Sequence, residues 1–120
     1  MAITSTTRDG ILFVQIEDVR LLDEAKIQKL EQELDTVIDA STETRVVLDF
    51  AKVQFMSSSM LGKLVKTQKK VTSYKAKMKL ANVSNEIREV FKITRLDKLF
   101  SIEPDVESAR KAFLKKGLFG

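Results

Sequence analysis

With 120 residues, 43% of them hydrophobic and 32% charged, the chain has the size and balance of one globular domain and not of a disordered segment. It contains no cysteine and no histidine, which excludes disulfides, thiolate metal sites, thiol catalysis and imidazole bases together. The formal net charge of +4 hides a segregation: residues 1–49 hold five Lys/Arg against eleven Asp/Glu, whereas residues 50–85 hold eight lysines and no acid.

The opening reads as a hairpin. Ile3–Thr7 is rich in β-branched residues, Asp9-Gly10 is a two-residue turn signal, and Ile11–Ile16 continues as an apolar strand. Leu22-Asp23 starts a helix, with Asp23 as its cap and Leu22 predicted to pack on Ile27 as a hydrophobic staple. Ile27, Leu30, Leu34, Val37 and Ile38 follow helical spacing, leaving Glu31, Glu33 and Asp35 mostly on the wet side. Ser41-Thr42-Glu43 is a loop, and Arg45–Phe50 is an apolar run suited to a buried strand.

A serine triplet, Ser57-Ser58-Ser59, then opens a second helix with Leu61, Leu64, Val65 and Val71 inward. Lys77–Val83 begins as an alternation of lysines with Met78 and Leu80, the pattern of a strand with one wet face. Ser84 is placed to cap a third helix carrying Ile87, Val90 and Phe91, and Leu99–Ile102 fits a final edge strand. Pro104 and Asp105 introduce a last helix with Val106, Ala109 and Phe113 inward. Strands alternating with helices predict an α/β domain spanning residues 1–120, with a four- or five-stranded mixed sheet and helices packed on one face.

The segment Val46-Val47-Leu48-Asp49-Phe50-Ala51-Lys52-Val53-Gln54-Phe55-Met56-Ser57-Ser58-Ser59-Met60-Leu61-Gly62 resembles the central signature of STAS domains of the anti-sigma factor antagonist type. In that family a buried strand ends in Asp and a serine-rich turn, usually Asp-Ser-Ser/Thr-Gly-Leu-Gly, opens a helix. Leu22-Asp23 sits where the family begins its first helix. Leu80 to Phe91 resembles its fourth strand and third helix, and Thr94-Arg95-Leu96-Asp97-Lys98-Leu99-Phe100 resembles its usual Thr-Gly-Leu-Asp-Lys-Leu-Phe ending. Here Ser57 stands for the usual aspartate, Met60 for a glycine, and Arg95 for the glycine after the third helix.

The resemblance implies a regulatory protein that binds a serine-kinase anti-sigma factor. Phosphorylation at the position matched by Ser58 would end that interaction, and a PP2C-type phosphatase is a further implied partner. The partner-binding residues it implies are Ser57, Ser58, Ser59, Met60, Lys63, Leu22 and Asp23. The alternative is a STAS subunit of a larger signalling assembly that is never phosphorylated.

The residues themselves leave two readings of each feature. Any of the three serines can cap the helix. A phosphate at that helix N-terminus would face free N–H groups and the positive end of the dipole. Lys63, Lys66 and Lys70 share one helix side, which is either a solvated face or a face for an acidic partner. Met60 either tucks in beside Leu64 or stands out as an apolar knob.

Nucleic acid is not expected, because the basic block has no arginine and few aromatics. No catalytic set, cofactor or metal site is expected, and neither is a membrane span. The N-terminus lacks the basic and apolar regions of a signal peptide, so a cytoplasmic monomer or weak dimer is the expectation.

Overall fold

Asp9 and Gly10 both take left-handed backbone, at φ 55° and 72°, the geometry that lets a two-residue turn follow the twist of its strands. Around it β1 (Ile3–Arg8) and β2 (Ile11–Ile16) pair antiparallel with Arg8 opposite Ile11. The computed structural model describes residues 2–119, with side chains as far as residue 115. After the hairpin come β3 (Arg20–Leu21), α1 (Glu24–Ala40), β4 (Arg45–Asp49), β5 (Phe55–Met56), α2 (Ser58–Ser73), β6 (Lys77–Ala81) and α3 (Asn85–Ile93). A 3₁₀ turn at Leu96–Lys98, β7 (Ser101–Glu103) and α4 (Val106–Phe119) complete the order.

The main sheet runs β1-β2-β4-β6-β7, antiparallel only between β1 and β2. It is therefore a five-stranded mixed sheet. The helices start on side chains placed to cap them: Asp23 accepts from the Ala25 N–H at 2.8 Å, Ser84 from Ile87 at 3.2 Å and Asp105 from Ser108 at 2.7 Å.

The placement of the helices needs one correction. Leu12, Val14, Val46, Leu48, Met78 and Leu80 face a core shared with α1, α2 and α3. Ile11, Phe13, Val47 and Ala81 point the other way and are covered by Val106, Ala109 and Phe113 of α4. Helices therefore lie on both faces, which is why β2 and β4 read as continuous apolar runs.

The expected wet face of Lys77–Val83 is lost for the same reason. Lys79 is only 6% exposed. Its ammonium group donates to Ser101 Oγ at 2.8 Å and Glu103 at 3.1 Å, and lies 5.2 Å from the centre of the Phe113 ring. A buried cation persists only when it is matched in this way.

Three smaller expectations also change. Leu22 is 49% exposed and makes no staple; Leu21 is buried and joins Ile27 in the core instead. Val90 turns outward while Ile87 and Phe91 are buried. The edge strand begins at Ser101, because Phe100 turns into the core beside Phe91, with ring centres 5.4 Å apart. The two-residue strands β3 and β5, paired parallel, are too short to carry any alternation.

Arg95 follows the C-cap of α3 and itself adopts φ 61°, ψ 22°. A side chain in left-handed backbone costs about 1–2 kcal/mol, which glycine avoids. Glycine also loosens the unfolded chain, so relief of the strain is partly offset. Arg95→Gly is expected to stabilise the domain by about 0.5–1 kcal/mol, raising the midpoint of a calorimetric melt by a few degrees. An unchanged or lowered midpoint would show that the arginine side chain contributes more than its backbone costs.

Candidate functional site

The serine turn is built outward from the end of β4. Asp49 Oδ1 accepts from the Ala51 backbone N–H at 2.9 Å and the Asn82 amide at 3.0 Å, and Oδ2 accepts from the Gln15 amide at 3.1 Å. One carboxylate thus ties together the ends of β2 and β4 and the residue after β6, and starts the next turn. Phe50 and Val53 anchor that loop in the core, and the Phe50 N–H donates to the Ala81 carbonyl at 2.9 Å.

From there the chain is laid against the segment before α1. The Gln54 and Phe55 N–H groups both donate to the Val19 carbonyl, and the Ser57 N–H donates to the Leu21 carbonyl at 2.9 Å. The β3–β5 pair therefore sets the start of α2 beside the start of α1.

The three serines divide the work. Ser57 is the N-cap of α2, in extended backbone, and its hydroxyl accepts from the Met60 N–H at 3.4 Å. Ser59 donates to Glu24 in the first turn of α1 at 3.0 Å. Ser58 is the first helical residue and is exposed, and among the described residues no hydrogen bond reaches its hydroxyl. No acidic residue occupies the first turn of α2, so the positive end of its dipole is uncompensated from within the helix.

Met60 is 1% exposed, in the core cluster with Leu64. As a partner-binding residue it is therefore corrected: its side chain fills the interior and offers no surface. Leu22 and Asp23 do lie at the surface near the turn, Asp23 as the cap of α1. Around them Val19, Leu22 and Phe55 are all exposed, Phe55 at 48%, and the Arg20 guanidinium sits 5.1 Å from the centre of the Phe55 ring. Sequence reading missed Val19, Arg20 and Phe55, since nothing in their spacing separates an outward hydrophobic residue from an inward one.

The lysine side of α2 meets an acidic surface, but that surface belongs to the same chain. Lys63 and Lys66 reach Glu31 at 3.4 and 3.5 Å, and Lys70 reaches Asp35 at 3.1 Å and Asp39 at 2.9 Å. Glu31 is consequently not on the wet side: its side chain is 14% exposed. Lys63 is partly covered by this pairing, so its charge is already engaged before any partner arrives.

The Tyr74 hydroxyl donates to Asp39 at 2.7 Å, and this bond, followed by that from Lys70, holds the Asp39 carboxyl below its ordinary value. Burial works against the Lys70 ammonium, yet its bonds to Asp39 and Asp35 prevail and raise it. Among the described residues no group of three or more His, Cys, Asp or Glu is placed to hold a metal, and no helix is long and apolar enough to cross a membrane.

A family model, described as the STAS domain, matches residues 2–109. The chain belongs to the STAS domain family. Its curated relatives include BtrV of Bordetella bronchiseptica, a candidate anti-sigma factor antagonist, 29% identical over 113 residues that span 94% of this chain and 95% of that one. Among solved structures, an anti-sigma factor antagonist from Mycobacterium paratuberculosis is similar at a TM-score of 0.80 and 24% identity, covering 92% of this chain and 91% of that one. The Bacillus cell fate determinant SpoIIAA in its phosphorylated form is similar at 0.68 and 18%, covering 92% and 99%. The STAS fold places the serine turn at the N-terminus of α2 and the Arg95 turn after α3.

The contacts between α1 and α2 carry a pH signature. Asp39 sits below its ordinary value of 3.8, so its contribution to stability is full above that value and is lost as pH falls through the lowered one. Lys70 is raised above 10.5, so its contribution is present below that value and disappears only in strong alkali. Lys70→Met is expected to lower the melting midpoint at neutral pH by no more than a few degrees, because the pairs are solvent-screened. It should also reduce the decline in midpoint as pH is taken from about 5 to about 2, where Asp39 becomes protonated. An acid limb as steep as that of the parent would assign the slope to other carboxylates.

Proposed function

We propose that this STAS domain is an anti-sigma factor antagonist-like regulator. It docks a serine-kinase anti-sigma factor at the serine turn and is released when Ser58 is phosphorylated. The observation that supports this most directly is the state of the three hydroxyls. Ser57 is committed to capping and Ser59 to Glu24, while Ser58 is exposed with no partner among the described residues. A kinase gains access to Ser58 without first breaking a cap or an interhelix bond.

The phosphate would sit at the N-terminus of α2, where unpaired N–H groups and the helix dipole favour an anion. It would add between one and two negative charges to a surface that carries Asp23 and Glu24 nearby. On the free protein this is tolerable. Against a closely docked partner it brings desolvation and repulsion, which is the physical content of an off switch.

The docking surface on this reading comprises the turn, with Ser57, Ser58 and Ser59, together with Leu22, Asp23 and the exposed side of Lys63. Val19 and Phe55 add apolar area beside it, and Arg20 is held over the Phe55 ring. The arrangement suits an interface with an apolar centre and a polar rim. The similarity to BtrV and to phosphorylated SpoIIAA supports the same reading. A PP2C-type phosphatase would reset the switch. The role needs no catalysis by this chain.

Ser58→Asp should weaken binding to the partner kinase by roughly a hundredfold, equivalent to about 3 kcal/mol. Ser58→Ala should bind as the parent does and take up no phosphate. Calorimetric titration, with mass spectrometry after incubation with kinase and ATP, measures both. Phosphate confined to Ser57 or Ser59 would move the switch to another residue. No phosphate, with unchanged binding by Ser58→Asp and assembly of the pure protein into large particles, would favour the scaffold role instead.

A further inference from the structure

β1 lies at one edge of the main sheet, and only one side of its backbone is used. The Glu17 N–H donates to the Ala2 carbonyl at 2.8 Å. By the alternation of an antiparallel ladder, Thr4, Thr6 and Arg8 then also direct their backbone groups at β2. The N–H and C=O groups of Ile3, Ser5 and Thr7 therefore point away from the sheet. No turn, loop or side-chain bond among the described residues reaches them.

Nothing on the strand guards this edge. Thr4 to Arg8 are exposed, no proline or lysine interrupts them, and β1 pairs with β2 residue for residue without a bulge. An exposed run of threonine and serine in strand conformation is a template for one more strand. Beside it α1 and β1 leave a groove of about 740 Å³, with Val37 and Ala40 on the helix side and Ile3 and Ser5 on the strand side. The two ends of the edge differ in charge. At its start Thr4 donates to Glu17 at 3.4 Å and the Ala2 N–H donates to Glu33 at 3.1 Å; Glu17 is shared with Lys52. At its end Arg8 has no ion pair among the described residues, and its guanidinium lies 4.7 Å from the centre of the Phe13 ring.

We propose that β1 is a docking edge for a second copy of this chain, the two β1 strands pairing antiparallel about a two-fold axis so that one sheet runs through both copies. The charge pattern selects that occupant and that direction. An antiparallel pair sets the basic end of each strand against the acidic start of the other, twice, whereas a parallel pair would set Arg8 beside Arg8. The register with Ser5 opposite Ser5 uses every outward group. Ile3 then faces Thr7 on either side of the axis, and three pairs at two bonds each give about six hydrogen bonds. Thr4 meets Thr6 across the strands, a favourable cross-strand pair. On the opposite face Ile3, Ser5 and Thr7 of each added strand lie toward the groove beside Val37 and Ala40. The assembly closes at two copies, because each uses its long edge; β7 at the other edge has only three residues. The serine turn takes no part. From Glu24, which bonds Ser59, to Val37 is roughly 20 Å along α1 at 1.5 Å per residue.

The test is sedimentation velocity of the whole chain from micromolar to millimolar concentration, with amide hydrogen exchange measured at both ends of that range. A monomer–dimer equilibrium is expected, with nothing larger. The amides of Ile3, Ser5 and Thr7 should exchange more slowly in the concentrated sample than in the dilute one. Ser5→Pro removes only an outward-facing N–H, so it should abolish the dimer and leave the melting midpoint within a few degrees of the parent. Arg8→Glu should weaken association about tenfold, and adding Glu17→Arg to the same chain should restore it, because both ends become attractive again. Failure of that second change to restore association would overturn the antiparallel pairing. A dimer that forms equally well with Ser5→Pro, or that protects the amides of β7 or of the β3–β5 pair instead, would overturn β1 as the edge. A chain that stays monomeric at millimolar concentration would overturn the second copy as occupant, even if an extended segment of another protein docks there. Particles larger than a dimer would overturn the closed two-fold pair.

Discussion

Asp49 ends the central strand β4 with a carboxylate that receives donors from three directions: the Gln15 amide, the Asn82 amide and the Ala51 backbone. The rest of the site depends on this convergence. Two of the donors hold the end of β2 and the residue following β6 level with the end of β4, and the third bends the chain toward the β3–β5 pair. From that point the direction of α2 follows, because Ser57 is pinned to the Leu21 carbonyl before it caps the helix. A serine turn on an unanchored loop would lose this fixed geometry. Here the turn is suspended between a buried sheet and the start of a second helix.

Burial on both sheet faces makes that frame rigid. α1, α2 and α3 close one side, and α4 closes the other over Val47, Ala81 and Phe13. Lys79 crosses into this second layer and is accommodated only because Glu103, Ser101 and Phe113 converge on it. Removing the Glu103 carboxylate would leave the Lys79 ammonium group buried beside Phe113 with no counter-charge. The edge strand β7 therefore does more than add one strand: it supplies the counter-charge that allows a lysine inside the sheet.

The charge pattern of the chain is settled largely within the molecule. The acidic N-terminal part and the basic middle part face each other across α1 and α2, so opposite charges far apart in sequence become a lateral clamp. Each such pair is individually weak at a surface, but together they fix which sides of the two helices meet. Their pairing also separates two regions along α2: its N-terminus, with a serine hydroxyl that has no hydrogen bond among the described residues, and its C-terminal end, beside which Lys75, Lys77 and Lys98 line a cleft.

The sequence by itself determined the element order, the turn at Asp9-Gly10, the caps at Asp23, Ser84 and Asp105, and the identity of the serine turn. These are local matters: backbone freedom, side-chain reach over two or three residues, and apolar periodicity. Tertiary structure decided which serine caps, because Ser57 is drawn to Leu21 and Ser59 to Glu24 by contacts across thirty or more residues. It also decided that Met60 is interior, that the lysines of α2 face the acids of α1, and that Leu22 and Phe55 stay outside. An apolar or charged side chain has the same sequence signature whichever neighbour it meets. Its fate depends on what the topology packs against it, and that is a property of the assembled layers and not of any one segment.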